Sequence, residues 1–303
     1  MMRTPVAVFV FNRPAETSRV LDAIQRSRPS TLFVVADGPR PDRPADHDAV
    51  SAVRALFTRI EWPCEITTNF SEVNLGCRRR VSSGLDWVFE HVDEAIILED
   101  DTVPLPSFFP YCEELLDRYR FDARIGSISG TDFTGGRYRM VESYGLSRYN
   151  LFWGWATWKR AWSVYDDEMK PLDETGSRGV GDVLARTFEL RRERLYWRHV
   201  LSRAHAGQID SWGYRWLLSC WNAGLLGIQP AHSLVSNIGV GEQATHTSRG
   251  TYDTGELREM TFPLTHPRDV LRNPELDRAI EDRIFSKNLS ARLKWFISRL
   301  VGR

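Results

Sequence analysis

The sequence predicts an α/β protein with a single, mostly parallel central sheet and helices on both faces. Three observations carry that prediction. The runs Val6–Phe11, Leu32–Ala36 and Ala95–Leu98 are apolar along their whole length, as strands covered on both faces are. Segments with helical spacing of apolar residues lie between them. Each run stops at polar or turn-forming residues. Such alternation implies right-handed βαβ units.

Taken in order, Val6–Phe11 is broken by Asn12-Arg13-Pro14, and Val20, Leu21 and Ile24 then mark one face of a helix. Leu32–Ala36 ends at Asp37-Gly38-Pro39, and Arg40–His47, rich in Pro, Asp and Arg, reads as a loop. Val50, Val53, Leu56 and Phe57 have helical spacing; Cys64–Thr68 reads as a short third strand. Val81, Leu85, Val88 and Phe89 mark the next helix. Ala95–Leu98 stops at Glu99-Asp100-Asp101. Pro104–Tyr119 reads as an amphipathic helix with Phe108, Phe109, Cys112, Leu115, Leu116 and Tyr119 inward. The second half is less regular. Aromatic clusters at Phe152–Trp162 and Trp212–Trp221 flank a polar stretch, Asp166–Val180, and a Gly-rich shift near Thr131–Tyr138 separates the two halves. There is no internal repeat.

Lys+Arg and Asp+Glu both number 40, so the formal net charge is zero, which argues against a dedicated nucleic-acid binder. Cys64, Cys77, Cys112 and Cys220 show no CxxC spacing, so neither a zinc knuckle nor a redox motif is indicated. No apolar run approaches the roughly 20 residues of a membrane span, and Val6–Phe11 is too short for a signal-peptide core. The expected location is cytoplasmic. The 11 tryptophans are many for 303 residues. They fit either a core or sugar-facing rings, and composition does not separate the two.

In open α/β sheets, ligands sit beyond the carboxyl ends of the strands. Two strands end there in acids, at Asp37 and at Glu99-Asp100-Asp101. Three adjacent carboxylates after a buried strand repel one another, and a divalent cation relieves that repulsion. Carboxylates, water and phosphate oxygens are the ligands Mg²⁺ or Mn²⁺ prefers. A solvated acidic turn capping the next helix is the bland alternative. Arg13 follows the first strand, a position that suits facing a base or phosphates and equally a surface arginine before a helix-starting proline. Gly76 precedes Arg78, Arg79 and Arg80 at a helix start, a pattern that suits a diphosphate and equally a solvated basic face. No GxxxxGK[ST] and no GxGxxG is present, which counts against P-loop NTPases and dinucleotide-binding oxidoreductases.

Together, Pro5–Pro14 (PVAVFVFNRP), Asp37 and Ala95–Phe109 (AIILEDDTVPLPSFF) resemble the nucleotide-binding half of GT-A glycosyltransferases. The likeness is to N-acetylglucosaminyltransferase I and its bacterial relatives. It continues through Leu151–Trp162 (LFWGWATWKRAW), Ile209–Trp216 (IDSWGYRW) and Gly227–Gly241, covering roughly residues 5 to 250. The resemblance implies an inverting, metal-dependent transferase that takes a sugar from a nucleotide-diphosphate donor, UDP above others, and passes it to a glycan or glycolipid acceptor. It divides residues 1–270 into a nucleotide-binding half, about 1–130, and an acceptor-binding half, about 131–270, leaving 271–303 as a helical tail. Glu-Asp-Asp stands as a variant of the DxD motif. Asp101 would bind Mn²⁺ (or Mg²⁺), with His246 a further candidate ligand. Glu99 and Asp100 would contact ribose or donor sugar, Arg13 and Asp37 the base, and Arg78–Arg80 the diphosphate.

The resemblance also implies a general base in an Asp-Trp-like segment. Asp210 is the candidate, although Ser211 intervenes before Trp212 and Gly213 stands where a second acid is expected. Trp212 and Trp216 are expected to bury it partly. Trp153, Trp155 and Trp158 are candidates for sugar packing, since their spacing makes no helical stripe.

Arg283–Arg303 carries six basic residues and no acid, with Leu289, Leu293, Phe296, Ile297 and Leu300 on one helical face. That pattern suits either an anionic membrane surface or docking on the protein's own core. Two other functions compete. A sugar-nucleotidyltransferase would show a Gly-rich first loop, and Phe11-Asn12-Arg13-Pro14 has no glycine. A non-catalytic carbohydrate-binding or toxin-like protein would need neither the acidic triplet nor a distant base.

Overall fold

The computed structural model describes residues 2–176, 179–239 and 255–285. The first half alternates as expected: β1 (Val6–Val10), α1 (Pro14–Ser27), β2 (Thr31–Ala36), α2 (Ala45–Leu56), β3 (Glu65–Phe70), α3 (Gly76–His91) and β4 (Glu94–Glu99). Pro14 opens α1, where its missing N–H is no loss and its fixed φ suits the first turn. β1, β2 and β4 are buried almost throughout because both faces carry helices; β3 has no fully buried residue and lies at the sheet edge.

Two expectations are corrected. Pro104 does not begin a helix: Thr102–Pro104 is a short strand, β5, and α4 runs Phe108–Arg118. The Arg40–His47 loop ends early, at Ala45, where α2 starts.

The second half supplies β6 (Ile125–Ser129), β7 (Tyr144–Ser147), β8 (Trp155–Trp158), α5 (Lys159–Trp162), α6 (Val180–Thr187), α7 (Arg191–His205), α8 (Gly213–Ala223), β9 (Leu226–Pro230), β10 (Val235–Asn237) and α9 (Pro274–Ile280). Among the described residues eight strands form one sheet, ordered β3-β2-β1-β4-β8-β6-β9-β7. β3-β2-β1-β4 and β6-β9 pair in parallel, whereas β8 runs antiparallel to both β4 and β6, and β7 to β9. The chain steps outward from β1 to β3 and then back to β4. Right-handed crossovers therefore put α1 and α2 on one face and α3 on the other. β5 and β10 form a separate antiparallel ladder.

Two buried cores result. One lies around the sheet. The other gathers Tyr149, Phe188, Trp197 and Trp221 with Leu276, Ile280 and Phe285 of the C-terminal segment. This second core also buries charge. Asp277, fully buried, accepts from the Ser147 hydroxyl at 2.6 Å and the Arg148 amide at 3.0 Å. The Tyr149 hydroxyl donates to Glu281.

Burial pushes the Glu281 carboxyl up to about 7, with Asp282 adding to the rise and Arg148 opposing it. Between its ordinary value near 4.5 and about 7, the folded state binds more protons than the unfolded chain. The stability this contributes is full below the lower value and is lost as pH rises through the upper one. Glu281→Gln is therefore expected to flatten the fall in thermal midpoint between about pH 4.5 and 7. An unchanged slope in that variant contradicts the assignment.

Candidate active site

β1 to β4 are parallel, and β6 and β9 run with them, so six strands deliver their carboxyl ends to one edge. There the first strand hands over to Phe11, the second to Asp37 and the fourth to Asp100. The Phe11 amide donates to Asp100 Oδ2 at 3.2 Å. Arg13 Nη1 reaches Asp101 Oδ2 at 2.9 Å and Asp100 Oδ1 at 3.4 Å. The β5–β10 ladder brings the other half of the chain to the same place. The Ile238 amide donates to the Asp101 carbonyl at 2.8 Å, and a Cβ on Gly239 would stand 2.0 Å from Asp101 Oδ2. His246 lies outside the described residues.

The triplet is electrostatically frustrated. Burial pushes the Glu99 carboxyl up to about 8, with Asp101 and Asp100 raising it further and Arg13 opposing. Asp100 is pushed up to about 7, again by burial first and by Asp101 next. One guanidinium faces three carboxyls, and Glu99 makes no side-chain hydrogen bond among the described residues. A hard dication fits this donor set, since every group on offer is a carboxylate oxygen. Among the described residues no three His, Cys, Asp or Glu side chains gather to hold a metal alone. An ion here would take its remaining ligands from water and a bound phosphate.

Asp37 is buried and already engaged. It accepts from the amides of Gly38 (2.9 Å), Leu75 (2.9 Å) and Gly76 (3.0 Å) and from Asn74 Nδ2 (3.1 Å). Burial nevertheless raises its pKa, with those backbone bonds pulling the other way. Three of these donors, from Asn74, Leu75 and Gly76, hold the 74–76 turn against β2. Gly76 adopts φ +78°, open to glycine at little cost, and a Cβ there would lie 3.1 Å from Asp210 Oδ2. Asp210 thus stands against the turn that Asp37 fixes. Beside it, burial pushes the Cys77 thiol up to about 12, and the charges of Glu99, Asp210, Asp37 and Asp100 add to the rise. Residues 13, 76–77, 99–101 and 210 therefore converge, although 197 positions separate the first and last.

The arginine trio does not. At about 100° per residue, three consecutive helical positions cannot share a face. Arg78 makes a two-point pair with Asp167, Nε at 3.0 Å and Nη2 at 2.5 Å. Arg79 is exposed, and Arg80 is buried against the Asn69 carbonyl at 2.5 Å. Trp155 and Trp158 are 1% and 2% exposed and have no ring face free for a sugar. They sit on β8, between β4 and β6, and Trp155 packs on Trp212 and Trp216 at 5.7 and 5.8 Å. Trp212 and Trp216 consequently turn into the core and leave Asp210 exposed. Of the three candidate rings only Trp153 is half-open. It packs on Phe133 at 5.1 Å, just before β8 and beside the carboxyl end of β4.

Two features of the site had no signal in the sequence. Gly213 is a glycine because the Phe152 ring fills its place: a Cβ would stand 2.2 Å from that ring. Buried Arg215 braces the loop carrying Asp210. Its Nη1 donates to the Ser211 carbonyl (3.0 Å), Nη2 to Ala204 (3.0 Å) and Nε to Asp167 (2.9 Å).

No protein-family model and no curated protein matches the chain. Among solved structures, TarS 1-349 from S. aureus overlaps with a TM-score of 0.36 at 10% identity, over 57% of this chain and 49% of that one. The mannosyltransferase PcManGT from Pyrobaculum calidifontis, in complex with GDP-Man and Mn²⁺, overlaps with a TM-score of 0.35 at 12% identity, over 72% of this chain and 68% of that one. The chain spans about half the length of the first. Neither likeness is close enough to carry an activity across.

Proposed function

We propose that the chain is an inverting, metal-dependent glycosyltransferase of the GT-A type, using a nucleotide-diphosphate sugar and a glycan or glycolipid acceptor. UDP is the preferred nucleotide, and the sugar a hexose or N-acetylhexosamine. The observation that carries this is the convergence of Arg13, Glu99-Asp100-Asp101 and Asp210 around the 76–77 turn at the carboxyl edge of the sheet.

Each residue then has a task. Asp101 would hold Mn²⁺ or Mg²⁺, and Glu99 and Asp100, at the end of β4, would bind ribose or donor-sugar hydroxyls. Bound, the ion supplies charge neutralisation to a departing diphosphate. Arg13 pairs with Asp101 here and would turn to phosphate once a dication neutralises the acids. Asp210 takes the proton of the acceptor hydroxyl, which attacks the anomeric carbon from the face opposite the diphosphate. Its exposure ends when donor and acceptor cover it. Asp37 acts through the 74–76 turn, and Arg78 through Asp167. Trp153 is the ring left for sugar packing.

Nucleotide release from a panel of UDP- and GDP-sugars, with Mn²⁺ and with chelator, tests the reading. Metal-dependent release from one donor class is expected. Absence of release from every donor, with no saturable nucleotide binding, contradicts it. Among the described residues no helix is long and apolar enough to cross a membrane.

A further inference from the structure

α7 lies in the second half of the chain, and its residues divide sharply by face. Glu193, Tyr196, Trp197, Val200, Leu201 and Ala204 are buried in the second core. The opposite face exposes Arg191, Arg192, Leu195, Arg198 and His199, with Arg194 at its margin. No acid lies on that face. The helix's only carboxylate, Glu193, points inward and pairs with Arg148 at 3.4 Å. The nearest acids at its ends are engaged: Glu189 pairs with Arg148 and Arg272, and Asp173 with His205. Among the described residues, Arg191, Arg192, Arg194 and Arg198 make no ion pair.

An apolar side chain stands within this basic group. Leu195 is 58% exposed, and Leu190, just before the helix, is 43% exposed. On a helical projection Leu195 falls between Arg191 and Arg192, with Arg198 one turn further on. In a chain of zero net charge, four unpaired guanidiniums on one helix are a local excess.

We infer that the exposed face of α7 is a docking surface for an anionic lipid bilayer. The arginines supply attraction to the negative headgroups, and Leu195 and Leu190 supply apolar contact at the headgroup boundary. A soluble polyanion would satisfy the charges but gives the leucines nothing to bury against. Arginine suits the role, because its stem packs along apolar surface while the guanidinium makes paired bonds to phosphate. The helix leads through residues 206–209 to Asp210, and the inference does not depend on the reading of that residue as a base.

The test is co-sedimentation of the full chain with vesicles of phosphatidylcholine alone and of phosphatidylcholine mixed with phosphatidylglycerol. It needs no sugar transfer. Binding is expected only to the anionic vesicles and is expected to weaken with added salt. Each arginine contributes about a fivefold factor near such a surface. Replacing Arg191, Arg194 and Arg198 together by Gln should therefore weaken partitioning about 100-fold. Leu195→Gln should weaken it separately. These side chains are at the surface, so an unchanged thermal midpoint verifies that the variants fold.

Four results would overturn the inference. They are no binding to anionic vesicles, equal binding to neutral ones, retention by the triple variant when neutralising Lys287, Arg292 and Lys294 abolishes binding, and capture of soluble polyphosphate instead, with Leu195→Gln without effect.

Discussion

Asp210→Asn is expected to lower turnover by about 10²–10⁴-fold, the range for loss of a positioned general base, with nucleotide affinity and thermal midpoint unchanged. The second half of that expectation follows from the geometry. Asp210 is exposed and makes no hydrogen bond among the described residues, so no hydrogen bond of the fold is lost with it, and its support of Arg215 acts only through space. Its distinguishing contact is with the 76–77 turn, 3.1 Å from where a Gly76 Cβ would be, within the electrostatic reach of the acidic triplet through Cys77. Steady-state rates with whichever donor the nucleotide-release panel identifies, beside nucleotide binding, check the split. Turnover within twofold of wild type would remove Asp210 as base, and the acceptor proton would need another destination.

The second large effect is on stability. Arg215→Ala removes one buried guanidinium that satisfies three backbone carbonyls on three stretches of chain: Asp167 before α6, Ala204 within α7 and Ser211 before α8. Burial and the nearby Arg78 lower the Arg215 pKa, while Asp167 and Asp210 support its charge. Leaving buried acceptors unpaired costs about 1–3 kcal/mol each, and breaking a buried ionic network typically costs about 3–5 kcal/mol in all. For a chain of this size that is a fall in midpoint on the order of 10 °C. Arg215→Lys should restore little of it, because an ammonium on a flexible stem cannot meet three carbonyls in the guanidinium's fixed fork. Calorimetric or circular-dichroism melts decide this; a loss under about 1 kcal/mol contradicts the bracing role.

Much of the first half was legible because buried parallel strands are apolar along their length. β1, β2 and β4 fall within one residue of the runs read from the sequence. β3 slipped by one to two residues, since Glu65, Thr67 and Asn69 alternate polar side chains along an edge strand. β5 is not legible, and its last residue Pro104 falls in the expected helix Pro104–Tyr119, because its pairing lies with β10, more than 130 residues away, and no local pattern announces it.

At the site, the Glu-Asp-Asp triplet was readable from its place after a buried strand. Asp210 is singled out in the sequence only through family likeness, and its place beside Gly76 is not legible there, because nothing along the chain shows that the two are neighbours. Asp37 shows the limit of reading a strand-end acid as ligand-facing: four local donors hold it inside. Trp155 shows another. Spacing correctly excluded a helical stripe, yet β8 lies between β4 and β6 and buries the ring. Asp167 and Arg215 were invisible, since a polar stretch and a helix give no hint that they meet.

The central claim is that the carboxyl edge of the sheet binds a nucleotide diphosphate with a divalent cation held by Asp101. Thermal unfolding of wild type and Asp101→Ala, with a panel of nucleoside diphosphates and with or without Mn²⁺, tests it most directly, because a ligand that binds the folded state raises the midpoint by mass action. A rise with one nucleotide that requires Mn²⁺ and disappears in Asp101→Ala is the predicted result. No rise with any nucleotide, or a rise that Asp101→Ala keeps in full, would contradict the account.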